Sequence, residues 1–142
     1  MTLRPEAVQA RLLRLEEVIG QLQELARLDR DALLRDLRNL WAAERGLQLG
    51  AEVLFDIGNH ILSARFGAPA EGYEDIVEQM MAHGILPPAL RQRLKGLAGF
   101  RNLLVHDYLR LDPEKVVEYL QRAPRDFSEF AQAVRIWLDG LG

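Results

Sequence analysis

Apolar residues return at intervals of three and four along almost the whole chain, and no stretch alternates apolar and polar long enough to make a half-buried strand. That periodicity admits helices and little else. Val8, Leu12, Leu15, Ile19, Leu22 and Leu25 trace one face of a first helix, which Pro5 opens and which runs to about Leu28. Asp29 is placed to cap a second helix, Arg30 to Phe66, with Leu33, Leu37, Leu40, Trp41, Leu47, Leu54, Ile57 and Ile61 on its buried side. Gly46, Gly50 and Gly58 fall inside it. Each costs about 1 kcal/mol relative to alanine in a helix, and close approach of another helix accounts for them.

GAPAEG, Gly67 to Gly72, reads as an exposed loop. Tyr73 to His83 forms a short helix with Ile76, Val77, Met80 and Met81 inward; Gly84 ends it, and His83 is a cation suited to a helix C-terminus. Pro87-Pro88 opens a helix that fades near His106 to Tyr108. Asp112-Pro113-Glu114 opens the last helix, which Pro124 kinks or divides at about Ala123. The pattern predicts an all-α fold, an up-and-down bundle of four to five helices with short links, with residues 1–142 forming a single domain.

Length suits that reading: 142 residues bury roughly two-thirds of their unfolded surface without metal or disulfide staples. The absence of cysteine excludes thiol catalysis, disulfides and cysteine-ligated zinc. The first twenty residues carry charges every few positions, unlike a signal peptide, and no run approaches the ~20 apolar residues of a membrane span. A cytoplasmic protein with no membrane association is expected.

The stretch FRNLLVHDYLR, Phe100 to Arg110, concentrates the chemistry. With Leu97 at the front of a helix turning ~100° per residue, Leu90, Leu94 and Leu104 fall within ~60° of it, and so do Arg101 and Tyr108. An unpaired guanidinium in a dry core would cost several kcal/mol, so Arg101 is expected at a partner, a cleft or a subunit boundary. His106 lies five residues on, ~140° round the cylinder. One straight helix cannot aim both at one atom. Either it breaks near Val105, or a homodimer pairs two copies of the stretch and each supplies half of a site. Cations are also common in last helical turns for the sake of the helix dipole, with no catalytic meaning. Net charge is −3 overall, yet Ala89 to Leu111 carries +4, leaving −7 elsewhere. A basic segment in an acidic body suits a local RNA site, and a solvated helix face shows the same imbalance.

A second polar feature is the row Glu52, Asp56 and His60 at four-residue spacing on the long helix. Carboxylates and imidazole suit several divalent ions, but three weak ligands make a poor metal site, and a subunit interface is the better reading. No serine sits in a nucleophile elbow, and no strand-turn-glycine motif exists for a P-loop or a dinucleotide fold.

Arg101, His106 and Tyr108, in the order Arg, four residues, His, one residue, Tyr, resemble the signature of the HEPN superfamily, in particular the HepT toxins of two-gene toxin–antitoxin modules. Asn102 directly after the arginine fits, as does RGLQLGAEVLFDIGNHILSARFG, Arg45 to Gly67, as the long second helix; the likeness runs from about Pro5 to about Asp139. The resemblance implies a metal-independent endoribonuclease without cofactors, with Arg101 and His106 catalytic and Asn102 supporting. Its RNA cleavage uses the 2′-OH as internal nucleophile. It further implies silencing by an MNT-type nucleotidyltransferase antitoxin that attaches AMP to Tyr108. The alternatives are an inactive HEPN module that binds nucleotide or a partner protein, and a plain structural dimer.

Overall fold

The computed structural model describes residues 2–141 and contains seven α-helices, one 3₁₀ turn and no strand among them. Helix α1 spans Pro5–Ala26, α2 Arg30–Arg35, α3 Leu37–Phe66, α4 Tyr73–Ala82, α5 Pro88–Leu94, α6 Leu97–His106 and α7 Pro113–Gly140; the 3₁₀ turn is Tyr108–Arg110. The three long helices α1, α3 and α7 pack on one another and form the centre, with α4, α5 and α6 laid against α3 and α7. No helix among the described residues is long and apolar enough to cross a membrane.

Five helical segments are expected and seven helices are found because two of the segments are interrupted. The first interruption is at Asp36, whose backbone is extended while its carboxylate accepts from the Arg38 N–H at 2.9 Å, capping α3. Asp29 caps α2 as expected, accepting from the Ala32 N–H at 2.7 Å. The break resets the helical phase, so Leu33 and Leu40 are buried while Leu37 and Trp41, expected inside, are 54% and 61% exposed. The second interruption is at Lys95 and Gly96. Gly96 adopts φ +92°, a conformation a side chain resists, and the chain starts a new helix at Leu97. Across this corner the Phe100 ring of α6 stacks on Tyr119 of α7, centroids 3.8 Å apart and planes within 3°. Pro124 does not divide α7, which continues from Pro113 to Gly140 with the proline buried inside it.

The glycines of α3 mark close approaches, as expected. A Cβ on Gly50 would overlap the Phe127 ring of α7, one on Gly58 would overlap Ile76 and Met80 of α4, and one on Gly46 would stand 2.8 Å from a Leu22 methyl of α1. Around them Leu12, Leu15, Leu47, Leu54, Ile57, Ile61, Phe127 and Phe130 are almost fully enclosed. Helix α5 is clasped to α7 by Arg93, which pairs with Glu129 and stands 3.3 Å from the buried carboxylate of Asp126. Burial pushes the Asp126 carboxyl above the usual range, against the opposing pull of Arg93, Arg122 and Arg125.

Candidate active site

Helices α3, α4 and α6 converge on an open cleft of about 600 Å³. Glu52, Phe55, Asp56 and Asn59 line it from α3, and Tyr73 and Ile76 from α4. Arg101 enters from α6, at the position where the sequence puts a guanidinium among apolar neighbours. Leu97, Ala98 and Phe100 of the same helix are buried, and the arginine side chain is only 14% exposed.

The guanidinium is weakly tethered. Its Nη1 donates to the Asn102 Oδ1 at 3.3 Å, its Nη2 stands 3.5 Å from the Glu52 carboxylate, and its Nε is buried with no hydrogen-bond partner. Glu52 in turn accepts from the Gln48 amide at 3.1 Å. The charge also has an aromatic contact: the guanidinium carbon lies 4.8 Å from the centroid of the Tyr73 ring. An arginine carries five N–H donors in a fork that matches carboxylate or phosphate oxygens. One left incompletely paired at the wall of a cleft can take an oxyanion.

The row on α3 divides by its surroundings. Glu52 approaches Arg101, and Asp56 accepts from the Arg11 Nε of α1 at 2.7 Å, so both carboxylates line the cleft beside arginines. His60 is half-buried outside the cleft lining, its Nε2 buried without a partner. Among the described residues no group of three histidine, cysteine or carboxylate side chains is arranged to hold a metal ion.

Of the remaining motif residues, His106 and Tyr108 lie outside the cleft lining. Helix α6 stays unbroken through Val105, and His106 is exposed at its last residue, outside the cleft lining. Asn102 is exposed beside the cleft and reaches Arg101 through its side-chain oxygen. Tyr108 departs from expectation. A continuous helix would place it within ~20° of Arg101, but α6 ends at His106, Asp107 leaves the helical region and Tyr108 opens the 3₁₀ turn, 75% exposed. Tyr73 carries no motif, and its place in the cleft arises from the packing of α4 on α3.

This bundle, with a guanidinium-lined cleft beside an Arg-x4-His-x-Tyr stretch, has the fold of the HEPN toxins. A solved structure of the tri-AMPylated Shewanella oneidensis HEPN toxin in complex with MNT antitoxin superposes with a TM-score of 0.84 at 22% identity, over 94% of this chain and 99% of that one. The chain belongs to the HepT-like ribonuclease family, whose model matches residues 15–134. It is 26% identical over 137 residues to the tRNA nuclease HepT of Aphanizomenon flos-aquae, covering 96% of this chain and 92% of that protein. It is 31% identical over 90 residues to the mRNA nuclease HepT of Shewanella oneidensis, covering 63% of this chain and 67% of that protein.

Proposed function

We propose that this chain is the toxin of a toxin–antitoxin pair, a metal-independent endoribonuclease acting as a homodimer, and that an MNT-type nucleotidyltransferase silences it by attaching AMP to Tyr108. The observation that carries the reading is the Arg101 guanidinium at the cleft wall, its Nε buried and unpaired and its other nitrogens at long distances from their neighbours. RNA supplies phosphate oxygens that can occupy the donors left incompletely paired.

In the proposed reaction the 2′-oxygen attacks the adjacent phosphorus, the bond to the 5′-oxygen breaks, and a 2′,3′-cyclic phosphate and a 5′-hydroxyl result. The proton lost by the 2′-OH and the proton gained by the leaving oxygen pass through His106, an imidazole able to serve as general base and general acid. Arg101 holds the non-bridging phosphate oxygens and the charge that develops on them. Asn102 supports it by accepting from Nη1. Because Arg101 and His106 point apart on one helix, His106 reaches the phosphate from a second copy of the chain. The relatives' names, a tRNA nuclease and an mRNA nuclease, support RNA as the substrate class, and the solved HEPN toxin with its MNT antitoxin supports the partner.

The test is cleavage of labelled RNA by the purified protein in excess EDTA, with Arg101→Ala and His106→Ala beside it. Loss of general acid–base help from His106 typically costs ~10²–10⁴ in rate and loss of an oxyanion-stabilising donor ~10²–10³, so both variants should be visibly inactive on a gel. Binding of RNA without cleavage would instead establish the inactive binding module.

A further inference from the structure

We infer that Tyr73 is a positioning residue for Arg101, an aromatic platform that fixes where the guanidinium stands in the cleft; this rests on the proposed role of Arg101 in holding the scissile phosphate. Three observations carry it. The guanidinium carbon lies 4.8 Å from the Tyr73 ring centroid, over the ring, whereas its tethers to Asn102 and Glu52 are 3.3 and 3.5 Å long and Nε has none. The platform is itself fixed, because the Tyr73 ring stacks on Phe55 with centroids 4.9 Å apart, and Phe55 is only 2% exposed. Tyr73 is the first residue of α4, a helix held against α3 where Gly58 leaves room for Ile76 and Met80.

The choice of an aromatic partner has a chemical consequence. A carboxylate locking the fork bidentately would occupy the N–H groups that a phosphate needs. A ring face attracts the cation through its quadrupole and leaves the donors for oxygen. Fixing the guanidinium in advance matters because a misplacement of ~1 Å can cost on the order of 10²-fold in rate.

The test uses the full-length protein and two independent readouts. In cleavage assays Tyr73→Leu keeps an apolar contact with Phe55 but removes the ring; kcat should fall ~10-fold or more with KM changed less than ~3-fold, and Tyr73→Trp should restore kcat to within ~3-fold. Should Tyr73→Leu melt below the assay temperature, Tyr73→Met takes its place. The second readout is the side-chain Nε–H resonance of Arg101, identified by its loss in Arg101→Lys. It should shift in Tyr73→Leu and return toward its original position in Tyr73→Trp. Wild-type kcat in Tyr73→Leu, or an Arg101 resonance that ignores the substitution, overturns the inference. A wild-type protein that cleaves no RNA overturns the proposed function instead, and the resonance alone then decides whether Tyr73 positions the arginine.

Discussion

Arg101 and His106 stand five residues apart on α6 and face different surroundings, the guanidinium 14% exposed in the cleft and the imidazole exposed outside its lining. A composite site across a two-fold axis predicts complementation. Arg101→Ala and His106→Ala should each be inactive alone. Mixed and allowed to exchange subunits, they should regain about a quarter of wild-type cleavage, because half of the dimers are mixed and each of those has one intact site of two. The measurement is RNA cleavage before and after mixing, with sedimentation confirming a dimer; a monomer with full activity would sink the composite site.

Tyr108 is 75% exposed on the 3₁₀ turn, where a second enzyme can reach its hydroxyl. Wild type incubated with the cognate nucleotidyltransferase and ATP is expected to gain mass in steps of one AMP and to lose activity. Tyr108→Phe should cleave RNA within about twofold of wild type and gain no mass, since the nucleotide has no oxygen to join. Mass spectrometry placing AMP on another residue would contradict this.

Gly50 and Gly20 are both mid-helix glycines with opposite surroundings. A Cβ at Gly50 runs into the Phe127 ring, while one at Gly20 meets nothing within 4 Å. Gly50→Ala should lower stability by about 1–3 kcal/mol through overpacking. Gly20→Ala should raise it by roughly 0.5–1 kcal/mol through helix propensity. Urea denaturation of the two variants reads the signs directly.

Asp126 provides a pH signature. Its folded pKa is raised by burial, so its contribution to stability is full below the unfolded value of about 3.9 and is lost as pH rises through the folded value. Asp126→Asn keeps the shape and removes the charge, and should gain stability relative to wild type on going from pH 4 to pH 7. Urea midpoints of both proteins at the two pH values measure the difference; a variant that loses ground at pH 7 would show that pairing with Arg93 outweighs burial.

The helical periodicity made most of the bundle legible, and the glycines of α3 announced their close neighbours because a glycine in a helix has a cost that something must offset. Arg101 was legible for the same kind of reason: a charge in an apolar arc needs water or a partner. The breaks were not. Asp36 is a capping residue and Gly96 a glycine, types found both inside helices and at their ends, and only packing decides that Leu40 goes inside and Trp41 outside, or that α6 turns onto Tyr119. Tyr108 was misplaced because helical phase was carried past the end of α6. Tyr73 escaped notice because its contacts with Phe55 and Arg101 join residues far apart in the chain, and no local pattern encodes them.

The seating of Gly50 against Phe127 also bears on how the chain emerges during synthesis. The α3 wall of the cleft is docked by a residue translated well after Arg101, so a nascent chain can expose every cleft residue while lacking the helix that holds α3 in place. Domains fold as units, and a chain stalled or truncated before α7 would carry the whole motif without an assembled cleft. On the proposed function, RNA cleavage waits on the docking of α7 against α3, and a chain that stops short of α7 should leave RNA intact.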